Sequence, residues 1–232
     1  MATYKEIHGT KIEIVASDPS NPVEGQVWYN TTSNVIKGSI RTAAGSWATT
    51  ASLNTARFYG SGAGTVSSAI MVSGETPGGD TPNVETWDGS SWTEIANISD
   101  AKRGGGSAGA SNTAVIEFGG YSGTSNVATC EYWNGSSWTE VNDLNTARRN
   151  AASVGANTEA ALCFAGNTPP NTSVALNETW DGSSWTEVGD LNQPGRARVG
   201  SGTTTAAICF GGGVPGGPAT LANTETWNGS SW

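Results

Sequence analysis

The stretch WDGSSW at residues 87–92 decides the fold, because it is a glycine turn between two large aromatic residues. Asp-Gly and Asn-Gly are the strongest short-range signals for a β-hairpin, since glycine and asparagine tolerate positive φ. If residues 88–91 form a four-residue loop, Trp87 and Trp92 lie opposite one another on paired strands. Such cross-strand aromatic pairs stabilise a sheet, so the stretch predicts a hairpin held by two indoles.

The pattern W-[D/N]-G-S-S-W recurs at regular spacing. Its full copies are residues 87–92, 133–138, 180–185 and 227–232, and residues 44–47 keep only the second Trp. The repeats average about 46 residues, within the ~40–50 residues of a four-stranded propeller blade. The expected repeat ends are Trp47, Trp92, Trp138, Trp185 and Trp232.

Other positions keep the same register. A glutamate stands two residues before the first Trp of every full copy: Glu85, Glu131, Glu178 and Glu225. The segment LNTAR at 53–57 returns at 144–148, with looser versions at 98–103 and 191–196. Apolar runs closed by glycine follow at 69–74, 114–120, 161–166 and 207–212. Each repeat is therefore expected to contain four short strands, of which the third carries Glu-x-Trp and the fourth starts at the second Trp.

These positions resemble the kelch repeat family, whose pattern has an early polar residue, a double glycine after an apolar strand, and an aromatic–Asp pair followed by Trp. Residues 119–120 and 211–212 match the double glycine, whereas 73–74 and 165–166 read Ser-Gly and Ala-Gly. Trp also replaces the usual Tyr of the aromatic pair. The resemblance implies an all-β, kelch-like β-propeller over residues 41–232, preceded by a short N-terminal β segment over 1–40.

Two architectures remain open for the ends of the array. In one, residues 46–53 supply the strand missing after Trp232 and the chain closes as a four-bladed ring. In the other, the array continues past Trp232.

Residues 25–38 predict a strand, a polar turn and a second strand. The sequence GQVWYNTT at 25–32 is similar to a short β motif of phage tail-fibre and other virion proteins, which precedes kelch-like arrays in marine phages. This resemblance implies that residues 1–40 attach the propeller to a particle. The alternative is an ordinary hairpin that caps the first blade.

Composition narrows the classes of partner. The net charge is −9, and no cluster of Lys and Arg is larger than Arg148-Arg149, which argues against nucleic acid as a partner. No apolar run approaches the ~20 residues of a membrane span, and residues 1–15 lack a signal-peptide core. Three cysteines, Cys130, Cys163 and Cys209, indicate free thiols and folding in a reducing cytoplasm. A virion protein, which folds in the host cytoplasm and works outside it, fits these features.

The sequence offers little for catalysis. His8 is the only histidine, so a histidine-based metal site is not expected, and no cofactor is expected. Cys163 and Cys209 occupy the same slot of successive apolar strands and are expected in the core. The four recurring glutamates suggest a repeated structural bond, with Arg57, Arg103 or Arg148 as partners. We therefore expect no enzyme.

Recognition is expected where the repeats differ, because loops on a rigid scaffold usually carry binding sites. The connections between the second and third strands vary most: 75–83, 121–127, 167–174 and 213–222. The candidate binding residues there are Asp80, Tyr121 and Asn167. Neutral drift of unconstrained loops would produce the same variation.

The sequence thus predicts a phage virion structural protein, tail-fibre-like or otherwise tail-associated, that displays a propeller for host attachment or particle decoration. Its expected partners are other virion proteins, a host-surface glycan or protein, and further copies of itself. Insertion into a membrane is not expected. The alternatives are a cellular carbohydrate- or protein-binding kelch module and a glycan-active enzyme.

Overall fold

The computed structural model describes residues 13–20, 26–38, 48–214 and 220–232. These residues form strands, turns and irregular segments, and none of them belongs to a helix. Accordingly, the described part of the chain has no helix suited to crossing a bilayer. Contacts divide the chain into two compact units, Met1–Thr49 and Thr50–Trp232. His8 and the degenerate copy at residues 44–47 lie outside the described residues.

The described residues of the first unit form three strands, of which the second and third make the expected hairpin. They are β1 (Glu13–Val15), β2 (Val27–Asn30) and β3 (Val35–Gly38), with β1 parallel to β2 and β3 antiparallel to it. Asp18 ties this sheet together by accepting hydrogen bonds from Lys37 Nζ (2.7 Å), Trp28 Nε1 (3.0 Å) and Asn30 Nδ2 (2.7 Å). These hydrogen bonds lower the pKa of Asp18 to about 2, and the bond from Lys37 has the largest effect.

The second unit contains four antiparallel sheets in succession, numbered here 1 to 4. Sheet 1 comprises β4 (Ser61–Thr65), β5 (Ser68–Val72), β8 (Val84–Trp87) and β9 (Trp92–Ile95), with a small hairpin of β6 (Glu75–Thr76) and β7 (Gly79–Asp80). Sheet 2 comprises β10 (Gly106–Ser111), β11 (Ala114–Phe118), β12 (Cys130–Trp133) and β13 (Trp138–Val141).

Sheet 3 comprises β14 (Ala152–Asn157), β15 (Ala160–Phe164), β18 (Asn177–Trp180) and β19 (Trp185–Val188), with a small hairpin of β16 (Asn167–Thr168) and β17 (Thr172–Ser173). Sheet 4 has three described strands: β20 (Val199–Gly202), β21 (Ala207–Phe210) and β22 (Thr224–Trp227). The four strands expected per repeat are therefore present in sheets 1 to 3. The alternative in which residues 46–53 supply the fourth strand of sheet 4 is not supported by the described residues 48–53, which form no strand.

The two Trp residues of each hairpin lie opposite one another, as the turn predicts. Trp87 pairs with Trp92, Trp133 with Trp138 and Trp180 with Trp185 in the strand registers. In each turn the Asp or Asn side chain accepts backbone N–H bonds two and three residues ahead, as Asp88 does from Ser90 and Ser91 at 2.8 Å. The glycine of each turn has φ between 93° and 96°. The ring centroids of the four pairs are 5.4 to 5.6 Å apart.

The indoles also join the turns and the sheets. The first Trp of each pair donates its Nε1–H to a carbonyl in the turn between the first two strands, as Trp133 does to Asn112 at 3.0 Å. The second Trp packs on the preceding sheet: Trp185 lies 4.7 Å from Phe118 and Trp232 lies 4.8 Å from Phe164, between ring centroids. Each hydrophobic cluster of this unit therefore spans two successive sheets.

The first strands of the sheets surround one cavity. β4 packs on β10, β10 on β14 and β14 on β20, whereas β4 and β20 lack a contact of that extent. The cavity has a volume of about 250 Å³ and is lined by residues 62–64, 107–109, 153–155 and 200–202. Glycine, alanine and serine predominate there, because larger side chains would not fit where four backbones converge.

Steric crowding explains why each apolar strand is followed by glycine. The second position of the double-glycine pattern is glycine in all four repeats, and its φ lies between 94° and 118° at Gly74, Gly120, Gly166 and Gly212. A Cβ added at any of them would lie 2.6 to 3.0 Å from a backbone carbonyl oxygen. The first position also has positive φ but is less crowded in some repeats. Ser73 and Ala165 are therefore accommodated there, at φ 57° and 60°, which explains both departures from the double glycine.

We expect Phe164→Ala to lower the free energy of unfolding by about 3–5 kcal/mol, the usual loss for a buried Phe, because Phe164 is fully buried under Trp232. Phe210 is the equivalent residue of sheet 4 and is 38% exposed, so Phe210→Ala should cost less than half as much. Urea unfolding of the two variants measures the difference. Equal losses would mean that Phe210 is covered in solution.

We also expect Gly166→Ala to destabilise the protein by about 1–3 kcal/mol, since φ is +104° and the new Cβ would contact the Arg149 carbonyl oxygen. The adjacent Ala165→Gly change relieves a left-handed alanine and should stabilise the protein by up to about 1 kcal/mol. Thermal unfolding of both variants tests this opposite behaviour. A stable Gly166→Ala variant would contradict the steric explanation.

Candidate functional site

The four recurring glutamates are bound inside the repeats. Glu178 accepts bonds from the backbone N–H of Asn145 (2.7 Å), its Nδ2 (2.9 Å) and Nη2 of Arg148 (2.9 Å). Arg57 pairs with Glu85, and Arg198 pairs with Glu225 at 3.1 Å. The LNTAR segment thus fastens the start of each repeat to its third strand. These carboxylates have a structural role, as the rotational repetition of the pattern predicts.

Repeat 2 departs from this arrangement. Arg103 was an expected partner of the repeated glutamates, but Glu131 instead accepts bonds from the backbone N–H and hydroxyl of Ser99. Lys102 occupies the position of Arg148 and pairs with Glu117 at 2.6 Å, and both side chains are fully buried. Glu117 stands where the other repeats have Met71, Cys163 and Cys209. Burial is the main cause that raises the pKa of Glu117 to about 7.

Repeat 4 supplies its guanidinium from a different residue. The N–H of Gly166 donates to the Gly195 carbonyl, just as the N–H of Gly120 donates to that of Arg148. Gly195 therefore takes the backbone place of Arg148. An added Cβ on Gly195 would lie 2.9 Å from Cδ of Arg198. Arg198 fills this space and reaches Glu225, so the ion pair persists although the sequence position has moved.

The cysteines belong to the core. Cys130, Cys163 and Cys209 are all buried and unbonded to one another. Burial raises the pKa of each thiol, that of Cys209 to about 11, so the thiolate, the reactive form, is scarce at neutral pH. Within the described ranges, no three His, Cys, Asp or Glu side chains are grouped closely enough to hold a metal ion.

The variable connections gather at one end of the sheets, called here the loop end. It carries the segments between the second and third strands of sheets 1 to 3, which are residues 75–83, 121–127 and 167–174. Residues 103, 149 and 196, which precede the first strands of sheets 2 to 4, form backbone bridges at the same end. The opposite end, called the turn end, carries the short turns of both hairpins in each sheet, such as residues 112–113 and 134–137. Two of the three candidate residues, Asp80 and Tyr121, meet at the loop end through Arg103.

Arg103 connects these two candidates. It pairs with Asp80 at 2.6 Å and with Glu75 at 3.1 Å. Its guanidinium carbon also lies 4.9 Å from the centre of the Tyr121 ring, and that of Arg149 lies 4.4 Å from the same ring. Asp80 is therefore engaged in an ion pair, and Tyr121 is held between two cations.

Asn167, the third candidate, is not available to a ligand. It is fully buried, its Nδ2 donates to Asn171 Oδ1 at 2.9 Å, and its backbone exchanges hydrogen bonds with Arg149. Its carbonyl also accepts a bond from Asn126 Nδ2 at 2.7 Å. The prediction of Asn167 as a binding side chain is thus wrong, because the loop folds back over it.

The structure reveals a feature that sequence reasoning missed. A cavity of about 250 Å³ opens at the loop end between sheets 2 and 3, and Tyr121, Asn126, Arg149 and Thr168 line it. Arg149 is the second residue of the doublet Arg148-Arg149, which with Lys102-Arg103 is one of two basic doublets in the sequence. That doublet was the available signal, but the sequence could not show that Arg148 is buried and Arg149 faces the cavity.

No protein-family model and no curated protein matches this sequence. Solved structures do match the fold. The structure of YjhT superposes with a TM-score of 0.64 at 9% sequence identity, over 84% of this chain and 70% of that one. At this identity the likeness concerns the fold alone: the chain is an all-β protein of antiparallel sheets with a YjhT-like fold.

Glu117 provides a pH test of the repeat 2 arrangement. Between pH 4.5, the ordinary pKa, and about 7, the folded chain holds a proton on Glu117 that the unfolded chain has lost. The free energy of unfolding contributed by this group therefore falls as the pH rises through that window.

We expect Glu117→Gln to reduce the loss of stability between pH 5 and pH 7.5, measured by urea unfolding at the two pH values. Glu140→Gln, on an exposed side chain of the same sheet, is the matched control and should leave the pH dependence unchanged. An identical pH dependence in the wild type and in Glu117→Gln would refute this role of Glu117.

Proposed function

We propose that the chain is a virion structural protein of a phage, in which a kelch-like β-propeller displays its loop end for host attachment. The observation that carries this proposal is that the recurring side chains are mostly buried, whereas the variable side chains are partly exposed at one end of the sheets. The recurring side chains are the indole pairs and the buried glutamates. They make internal packing contacts and ion pairs. The side chains that vary are partly exposed at one end.

The propeller assignment rests on the arrangement of the sheets. Four successive sheets place their first strands side by side around one cavity, as propeller blades do around a central channel. Repeats of about 46 residues, the double-glycine position and the aromatic–Asp pair support the kelch-like type. In this proposal, further blades or the chain's own segments complete the ring.

The phage assignment rests on residues 25–32 and on the thiols. The described residues 26–32 of the GQVWYNTT segment form a strand and the start of a turn in a compact first unit, which suits an attachment segment that joins other virion proteins. The buried free cysteines suit folding in a host cytoplasm. Attachment through several copies would add avidity to weak single contacts.

Immunogold electron microscopy with an antiserum against the purified chain tests the location. Labelling of phage particles at the tail is the expected result. Labelling of cell envelopes with bare particles would reject the virion assignment and favour the cellular binding module.

The loop end is tested by binding of the purified chain to host cells. We expect Thr124→Glu combined with Asn171→Glu, two exposed positions at the loop end, to reduce binding at least tenfold by steric and charge effects. Val66→Glu with Thr113→Glu adds the same charge at exposed positions of the turn end and should bind as the wild type does. Flow cytometry measures both variants, and equal binding would reject the loop end as the recognition surface.

A further inference from the structure

Arg149 differs from the other arginines of the loop end in how its charge is met. Arg103 has two carboxylate partners, Glu75 and Asp80, and Nη1 of Arg196 donates to Asn171 Oδ1 at 3.4 Å. Among the described residues, no carboxylate lies within 4.0 Å of the Arg149 guanidinium, whose side chain contacts the Tyr121 ring instead. Arg149 is therefore a partly buried cation whose N–H donors are available to a ligand.

The position of Arg149 is fixed before any ligand arrives. Its N–H donates to the Asn167 carbonyl at 3.1 Å, and its carbonyl accepts from the Asn167 N–H at 2.8 Å. Its guanidinium packs on the Tyr121 ring, and Arg103, the other cation that contacts this ring, is held by its two carboxylate partners. A preorganised group of this kind loses little freedom on binding.

The rest of the cavity suits a small polar ligand. The hydroxyl residues Thr124, Ser125 and Thr168 and the ring pair Pro169-Pro170 line the cavity beside Arg149. Hydroxyl groups both donate and accept hydrogen bonds, as sugar hydroxyls require. At about 250 Å³ the cavity is below the roughly 300–1,000 Å³ of sites for drug-sized ligands, so it fits one sugar residue.

We propose that this cavity binds an acidic sugar of a host-surface glycan, with Arg149 pairing to its carboxylate or sulfate group. A guanidinium offers two parallel N–H donors that match the oxygens of such an anion, and the hydroxyl residues bind the sugar ring. The net charge of −9 disfavours densely charged polymers at long range, so the ligand carries isolated charges. This inference rests on the proposed display function, because it names the ligand of the same loop end.

NMR titration of the labelled chain with glucuronate, glucose 6-sulfate and glucose tests the site. We expect at least one acidic sugar to bind tenfold or more tightly than glucose, with shifts at Thr124, Asn126 and Thr168. The comparison of glucuronate with the sulfate ester identifies which anion is preferred. Equal affinity for glucose and for both acidic sugars would overturn the proposal.

Two substitutions assign the effect to Arg149. Arg149→Met removes the charge and keeps the length of the side chain, so it should reduce acidic-sugar affinity to the level of glucose. Arg196→Met, at the equivalent position of the next repeat, should keep wild-type affinity. Unchanged binding in a folded Arg149→Met variant, with the wild-type pattern of NMR resonances, would refute the role of Arg149.

The labelling, cell-binding and sugar-binding experiments together separate this inference from the proposed function. Suppose that the antiserum labels phage tails and the loop-end variant loses binding to host cells, but no acidic sugar binds. The display function then stands and the ligand assignment fails. If acidic sugars bind and the particles are unlabelled, the site stands on its own and the virion assignment fails.

Discussion

Two indoles facing each other across a glycine turn are the contact on which the rest of the structure depends. The turn is local, because its Asp or Asn side chain accepts the backbone N–H groups two and three residues ahead. The first indole joins the hairpin to the neighbouring turn of its own sheet, and the second packs on the preceding sheet. Burial of one Trp contributes on the order of 5 kcal/mol before entropy is considered. A chain with four Phe residues can therefore build a continuous core.

Stabilising and exposed residues are separated in space. Each repeat has a cation paired with a glutamate in its interior, on the third strand in repeats 1, 3 and 4 and on the second strand in repeat 2. The loop end has contacts of its own, among them the ion pairs of Arg103 with Asp80 and Glu75, and these are separate from the buried pairs. Substitutions at exposed loop-end positions such as Thr124 can therefore change the surface without disturbing the buried pairs.

The sequence predicted most of the fold because its signals are local. Strand order, the opposition of Trp87 and Trp92, and the pairing of Arg148 with Glu178 all follow from residue types at fixed offsets. Arg198 escaped prediction because its guanidinium reaches Glu225 from a backbone position three residues after Gly195, which only the packing reveals. The Lys102–Glu117 pair escaped for a similar reason, since an acidic residue in an apolar strand has no partner in its own sequence neighbourhood. At the loop end, the burial of Asn167 depends on how the loop folds back, and no periodic pattern encodes that.

The altered ion pair of the second repeat has a genetic consequence. Recombination between copies of a repeat within a gene would exchange amino-acid segments that recur, such as LNTAR and DGSSW. Exchange between repeats 1 and 3 conserves matching Arg–Glu pairs, because Arg57–Glu85 and Arg148–Glu178 are made by equivalent residues. A crossover between the codons of Lys102 and Glu117 would instead place a second buried carboxylate beside an arginine that already pairs with its third-strand glutamate, or would leave Lys102 to pair with that glutamate in place of an arginine. We therefore expect arrays in which Glu117 is separated from Lys102 to be less stable than arrays that keep the two residues together.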